Sequence, residues 1–366
     1  MGYTVGNGDE VIDDNADMTL RTLTVSVNTD EDTYLEIGGP PGFSPTVGET
    51  NAFAGVYSPN LAEGSNIEKF PYSISSGGST LIGNFSVIRR QMGSTHTDNS
   101  NGFFAGGRTN YPTPVSSTGI EKFPYSSGNV NSTDVGDLII ADQYLSGNSS
   151  ETHGFSHGSN DPTNPGAGQL YYNIDKFPFA ISSGTATDVG NLTPILLDAG
   201  GHSSLTDGHI SGGHLPFVPT PYDVFNVTKK FPFAISGATV TTHGSLGARM
   251  KFHGAHTSAD DGFTSGGYGS HPGAPSFSNP VGTIYKFPFA NSTPVSSTPI
   301  GTWPGGYNQG TNSSTTTGFI YGYTGPSTVI TSFPFAQTSG AASSTGGSIG
   351  VSPGSTIDYG AAGVDD

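Results

Sequence analysis

NIDKFPFAISSG occupies residues 173–184, and five close variants of this phrase occur elsewhere in the chain. A catalytic motif is needed once, so a phrase written six times indicates a structural repeat. The Phe that precedes Pro recurs at intervals of 53, 54, 54, 56 and 46 residues. The six copies are marked by Phe70, Phe123, Phe177, Phe231, Phe287 and Phe333.

Each repeat carries two further markers. A Gly-aromatic step lies upstream of the phrase, as in DGFTSGG (261–267), and a Gly-x-apolar step lies downstream, as in Gly136 with Leu138. All three markers lie in short runs rich in Phe, Ile, Val or Tyr and bounded by Gly, Ser, Asn or Pro, which predicts strands and turns. A weaker stretch is interpreted as a fourth strand; examples are SVIRRQM (86–92), PILLDAG (194–200) and ARMKFHG (248–254).

Four antiparallel strands repeated about every 50 residues are typical of a β-propeller blade. The apolar residues of the phrase lie on both faces, so we interpret its strand as an inner strand covered by both neighbouring blades. Pro178 predicts that this strand ends, or bulges, just beyond Phe177. A β-solenoid is the rival architecture, but its rungs are normally shorter. The predicted fold is all-β, a six-bladed propeller over residues 49–366, with repeats at about 49–98, 99–150, 151–204, 205–258, 259–314 and 315–366.

Residues 1–48 precede the repeats. TLRTLTVSV (19–27) and TYLEIGG (33–39) have strand composition. We expect an N-terminal extension that closes the ring, forms a partial seventh blade, or serves as an attachment arm; these alternatives stay open.

Composition excludes several functions. The 366-residue chain has 12 basic and 29 acidic residues, a net charge of −17, so it lacks the basic surface that nucleic acid and anionic membranes require. No apolar run is long enough to span a bilayer. The absence of cysteine excludes disulfides, thiolate metal sites and cysteine nucleophiles. The 22 Phe and 16 Tyr argue against a disordered chain.

One loop class carries nearly all the variation in repeat length. The gap from the Gly-aromatic step to the phrase runs 17, 20, 22, 22, 24 and 14 residues, whereas the other gaps are nearly constant. Insertions at one point of a repeat project from one face, which is commonly the binding face. The aromatic and histidine residues of these loops either cover their own loops or form a docking or sugar-stacking surface. They are Tyr171, Tyr172, His214, Phe217, Tyr222, Tyr268, His271 and Phe277.

Recurring charged residues are better explained by the scaffold than by chemistry. Five of the seven lysines share one repeat position, and we expect each to pair with a carboxylate such as Asp134 or Asp188, or with strand-end carbonyls; a cationic ring is the functional alternative. These lysines are Lys69, Lys122, Lys176, Lys230 and Lys286.

Histidines recur at His96, His202 and His256, and His153 and His157 lie four residues apart. A metal site needs ligands that converge, whereas equivalent positions in successive blades are separated around the ring. We therefore predict structural histidines, no metal, no cofactor and no catalytic residues. Two carboxylates would suffice for a glycosidase, so a glycan-degrading enzyme stays the lesser alternative.

The phrase IDKFPFA followed by ATDVGNLT, together with DGFTSGG and a YGAAG step at 359–363, resembles repeat proteins of tailed bacteriophages, especially marine and cyanobacterial ones. Kelch- and RCC1-like propellers have a comparable repeat plan. The resemblance implies a non-enzymatic virion protein on the outside of the particle: a tail fibre, tail-associated or capsid-decorating component. Its expected partners are other virion proteins, bound through residues 1–48, and a host-surface glycan or protein. A secreted or surface carbohydrate-binding propeller is the alternative.

Overall fold

The computed structural model describes residues 51–57, 65–87, 89–90, 94–98, 100–109, 115–126, 131–142, 144–161, 169–215, 224–270, 279–290, 295–303, 306, 310–321, 328–349 and 362–365. All regular structure in these ranges is β-strand, and they contain no helix able to cross a membrane. The predictions for residues 1–48, including both strands and the attachment arm, lie outside the described residues.

The structure contains six four-stranded antiparallel sheets, which are the blades. In each blade, the strands that carry the three markers lie side by side in the same order as along the chain. The second strands, counted from the axis, carry the Gly-aromatic step: Asn51–Tyr57, Asn101–Ala105, His153–Asp161, Asp207–Ser211, Asp261–Ser265 and Thr317–Tyr321. The third strands carry the phrase: Ser65–Pro71, Val115–Pro124, Gln169–Pro178, Val227–Pro232, Thr283–Pro288 and Val329–Pro334. The outermost strands are Thr80–Asn84, Thr133–Asp142, Thr187–Asn191, Thr241–Ser245, Thr298–Thr302 and Ser343–Ser348.

The innermost strands close the ring. Each contacts the innermost strand of the next blade, and the last contacts the first, so the six form a closed circle. Ala362–Asp365 pairs antiparallel with residues 52–55 and supplies the innermost strand of the first blade, which joins the two ends of the repeat region. The six are Ser94–Thr97, Ser146–Ser149, Gly200–Ser203, Gly254–Thr257, Gly310–Ser313 and Ala362–Asp365.

Two details of the predicted blade were wrong. The fourth strand is not the weakly apolar stretch but the short polar segment after it, such as STHT (94–97). Of the weak stretches, Arg89–Arg90 and Arg249–Lys251 form small ladders beside the blades, with Arg108–Thr109, Tyr268–Ser270 and Asn279–Pro280. The phrase lies on the third strand rather than on an inner one, and each sequence repeat supplies three strands to one blade and the innermost strand to the next.

Every third strand ends at the proline of the phrase, as the missing N–H of proline predicts. The first Phe of each phrase is at most 1% exposed and packs between blades. In five blades it lies directly over the glycine of the Gly-aromatic step, its antiparallel partner. A Cβ on Gly102 or Gly262 would lie 2.3 or 2.4 Å from the ring of Phe123 or Phe287, which explains why glycine precedes the aromatic residue.

The outer edge of each blade is covered by the next one. The loop between third and outermost strands pairs in parallel with the preceding outermost strand through Gly77–Gly78, Ala238–Thr239 and Val295–Ser296, and through the single bridges Asp137–Thr185 and Thr302–Ala341. At the remaining interface, the Ser132 amide donates to the Asn84 carbonyl at 2.9 Å. The unpaired edges that make isolated sheets aggregate are therefore occupied within the ring.

Candidate functional site

The recurring histidines join neighbouring innermost strands. Nδ1 of His96, His202 and His256 lies 2.9, 3.0 and 3.2 Å from the carbonyl oxygen of the equivalent residue one blade on. Because a carbonyl only accepts, Nδ1 carries the proton and Nε2 accepts from a serine hydroxyl, at 2.8 Å from Ser211 in the case of His202. Asn148 continues the series, since its Nδ2 donates to the His202 carbonyl at 2.6 Å. Both nitrogens of these three histidines therefore have partners inside the scaffold.

Burial fixes these imidazoles in their neutral form. Desolvation lowers the pKa of His96 and His202 to about 4 and that of His256 to about 3, although the hydrogen bonds to backbone carbonyls act in the opposite direction. His157 is buried as well: its Nε2 bonds to Asn148 Oδ1 at 2.7 Å, and desolvation lowers its pKa to about 3. His153 instead contacts Thr152, so the two histidines four residues apart have separate partners. The described ranges hold no cluster of three or more His, Asp or Glu side chains able to bind a metal ion.

In the second and third blades, the acidic residue that precedes the repeated lysine is buried and binds the preceding blade, a contact that sequence reasoning missed. The carboxylate of Glu121 accepts from the Ser86 amide at 2.8 Å, and that of Asp175 accepts from the Ile139 amide at 2.9 Å. Both amides belong to the preceding blade. Burial raises the pKa of Asp175, while the hydrogen bonds to Ile139 and Asn173 act to lower it.

The repeated lysines lie over the aromatic residue of the second strand. Nζ of Lys69, Lys122, Lys176 and Lys286 is 5.1–5.5 Å from the ring centroid of Phe53, Phe103, Phe155 and Phe263. Lys230 and Lys286 also form ion pairs, with Asp207 at 3.1 Å and Asp261 at 2.8 Å. Lys122 Nζ donates to the carbonyl of Phe179, just past the end of the third strand of the next blade, at 3.4 Å. The two carboxylates named as examples are not these partners: Asp134 and Asp188 accept hydrogen bonds from the amides of Gly136 and Gly190 in their own strands.

The variable loops join second to third strands, and they share one end of the blades with the connections into the innermost strands. We call this end the loop face. Among the predicted binding residues, Tyr172 is 43% exposed, while His214 and Tyr268 are half-buried. Tyr171 is described only as part of its strand. Phe217, Tyr222, His271 and Phe277 lie outside the described residues.

His214 is brought next to a buried carboxylate that the sequence did not single out. Oδ2 of Asp198 lies 3.3 Å from His214 Nδ1, and the Asp198 side chain is only 7% exposed. That nitrogen is also 3.2 Å from the Leu197 carbonyl, and Asp198 Oδ2 has no hydrogen-bonding partner in good geometry. Burial raises the pKa of Asp198 well above its usual value, and the Lys251 charge opposes this effect.

Two aromatic residues and a lysine complete this group. Phe252 lies 6.0 Å from the His214 ring, and Lys251 Nζ is 4.9 Å from the centroid of Phe252. The Asp198 amide donates to the Tyr144 carbonyl at 3.2 Å. Tyr268 is the strand partner of Lys251, so a second predicted residue borders the group. Tyr144, Asp198, His214, Lys251 and Phe252 are referred to below as the Asp198 cluster.

No protein-family profile and no curated protein sequence matches the chain. Its fold is similar to that of a solved structure titled "Structure of YjhT", with a TM-score of 0.52, 9% sequence identity, and coverage of 64% of this chain and 72% of that chain. At this identity the likeness concerns the fold alone. The closed ring of six sheets and this likeness together make the chain a six-bladed β-propeller.

Proposed function

We propose that this chain is a non-enzymatic virion protein of a tailed phage, displayed on the outside of the particle as a tail fibre, tail-associated or capsid-decorating propeller. Residues 1–48 dock it to other virion proteins, and the loop face is turned towards the host. The proposal combines the resemblance of the repeated phrase to tailed-phage repeat proteins with the way in which the ring uses its polar residues.

The main observation behind the proposal is that the recurring polar residues form hydrogen bonds between blades, so their polar groups already have partners within the ring. His202, Asn148 and Glu121 each form a hydrogen bond to the backbone of an adjacent blade. What differs between repeats is the length of the loops on one face. A self-sufficient ring with one variable face suits a displayed scaffold that makes contacts rather than carrying out a reaction.

Deletion of residues 1–45 tests the attachment. We expect the shortened chain to keep the thermal midpoint of the propeller and to be missing from purified particles, as measured by immunoblotting against a major capsid protein. The matched control carries Asp260→Asn, an exposed position on the opposite face, and should be incorporated normally. Normal incorporation of the shortened chain would rule the arm out.

A carbohydrate-binding propeller is the second candidate, and the Asp198 cluster favours it. A half-buried aromatic residue beside a carboxylate, an imidazole and an ammonium group is a combination that binds polyols. Binding to a glycan array that is lost on replacing Tyr171, Tyr222 and Tyr268 by alanine would support this function. Turnover of host polysaccharide in the same samples would instead indicate the glycan-degrading alternative.

A further inference from the structure

Three residues in the connections from an outermost strand to the next innermost strand have an unusual backbone conformation. Tyr144, Asp198 and Phe252 have φ values of 65°, 52° and 54°, in the left-handed region that side chains disfavour. Every other described residue with positive φ is one of 14 glycines. Each of the three lies two residues before an innermost strand, in three successive blades.

This conformation does not require those side chains. Glycine would adopt it more readily, and the chain has 55 glycines. With Tyr, Asp and Phe at these three equivalent positions, where glycine would fit without strain, the ring carries backbone strain. Such outliers cluster at ligand sites, where the surrounding structure holds them in place.

The backbone brings the three residues together. The Asp198 amide donates to the Tyr144 carbonyl at 3.2 Å, and the Phe252 amide donates to the Asp198 carbonyl at 3.0 Å. This chain of bonds runs round the loop-face end of the innermost strands. His214 joins it from the variable loop of the fourth blade, and Lys251 precedes Phe252.

Asp198 adds an independent sign of a ligand. Its carboxylate is more than nine-tenths buried, and Oδ2 has no hydrogen-bonding partner although it faces His214 at 3.3 Å. A buried carboxylate oxygen without a donor destabilises the protein, so a donor supplied by a ligand would satisfy it.

We propose that the Asp198 cluster binds one neutral hexopyranose unit of a glycan. Sugar hydroxyls donate to the Asp198 carboxylate, and sugar oxygens accept from the ammonium of Lys251. The ring of Phe252 covers the C–H face of the sugar. The net charge of −17 repels acidic polysaccharides, so the ligand is an uncharged sugar.

This site rests on the proposed contact between the loop face and the host, but it is tested on the isolated chain. Failure of sugar binding would therefore refute the ligand, while incorporation into particles tests the virion role separately.

The full-length protein is titrated with the methyl glycosides of glucose, galactose, mannose and N-acetylglucosamine, using saturation-transfer NMR and calorimetry. We expect at least one to bind, with a dissociation constant of about 1 mM.

Phe252→Gly and Asp198→Asn should each weaken binding by at least about tenfold, whereas Asp260→Asn should bind like the natural chain. Phe252→Gly should not lower the thermal midpoint, because glycine relieves the strain at this position. Asp198→Asn keeps the shape of the side chain, so its sugar affinity tests the site even if the glycine variant does not fold. Binding of none of the four sugars, binding of charged sugars only, or unchanged affinity in both variants would overturn the site.

Discussion

Nδ1 of His202 donates a 3.0 Å hydrogen bond to the backbone carbonyl of His256, the residue at the same position of the next innermost strand. His256 repeats the contact with Asn312 at 3.2 Å. At four of the six interfaces, side chains of this position thus tie each innermost strand to the next around the axis. Because the second nitrogen of His202 accepts from Ser211, the imidazole replaces two hydrogen bonds that water would otherwise make.

Replacement of His202 by valine, the residue at the equivalent position 364, should destabilise the ring. The change removes a donor from the buried His256 carbonyl and the acceptor of the Ser211 hydroxyl, and it removes buried ring atoms, so we expect a loss of about 2–4 kcal/mol in the free energy of unfolding. Guanidinium denaturation at pH 7.5 measures it. His202→Asn is the matched control, because Asn148 makes the same contact in the preceding interface. Equal losses for both variants would contradict the role given to the hydrogen bond.

The buried histidines make the propeller sensitive to mild acid. Their folded-state pKa values lie well below the 6.5 of an unfolded histidine, so unfolding takes up protons once the pH falls below about 6.5. Each histidine then removes about 1.4 kcal/mol of stability per pH unit until its folded pKa is reached. Asp175 and Asp198, whose pKa values are raised, oppose this in part. Six histidines have pKa values of about 2 to 4: His96, His157, His202, His209, His253 and His256.

We therefore expect the urea midpoint to fall steeply between pH 6.5 and pH 5 and to change little between pH 7 and pH 8. Urea titrations in matched ionic strength, followed by tyrosine fluorescence, measure this dependence. The same midpoint at pH 7.5 and pH 5 would show that protonation of these histidines is not linked to unfolding.

His209 offers a way to strengthen the ring. It is fully buried, neither ring nitrogen has a hydrogen-bonding partner, and its ring stacks on Phe289 at 4.5 Å. The other five blades have phenylalanine at this position of the second strand. We expect His209→Phe to raise the free energy of unfolding by about 1–3 kcal/mol at pH 7 and by more at pH 5.5.

Urea denaturation at both pH values measures the gain from His209→Phe, and the pH dependence should weaken by about one proton. His253→Phe is the control: its Nε2 bonds to Ser211 at 2.9 Å, so the same substitution should destabilise the protein there. Lower stability of His209→Phe at both pH values would contradict the prediction.

The ring could be predicted because its large residues recur, whereas its innermost strand could not. Phe177 and its equivalents are spaced by one blade, and the glycines that they cover share that spacing. SGNS (146–149), by contrast, has no apolar alternation, and its strand conformation depends on contacts with the neighbouring innermost strands. The weak strand pattern of PILLDAG was misleading. Its apolar residues are buried because this segment is a connection that covers the core with Leu196, not because it is a blade strand.

The candidate site was predicted in part. His214 and Tyr268 were singled out because the length of their loops varies; His214 belongs to the Asp198 cluster and Tyr268 borders it. Asp198 was missed because it is a candidate only through its burial and its positive φ. The sequence PILLDAG shows neither property. Tyr144 and Phe252 were missed for the same reason.

Gly262 should not tolerate a methyl group. A Cβ there would lie 2.4 Å from the ring of Phe287, which is itself packed between blades and 1% exposed. We expect Gly262→Ala to lower the free energy of unfolding by about 1–3 kcal/mol through this clash. The first blade provides the control, because Ala52 is already the partner of Phe70 and Ala52→Gly should cost only about 0.5–1 kcal/mol. A neutral effect of Gly262→Ala in thermal unfolding would refute the close-packing explanation.

Loss of Ala362–Asp365 should open the ring. These residues pair with Ala52–Gly55, so a chain ending at residue 361 leaves the first blade without its innermost strand and breaks the circle of innermost strands. An unpaired strand edge binds other edges, so we expect self-association together with a less cooperative thermal transition. Light scattering and calorimetry measure both. Removal of Asp366 alone, which leaves the pairing intact, is the control; a monomeric, cooperatively unfolding chain ending at residue 361 would mean that the ring closes without this strand.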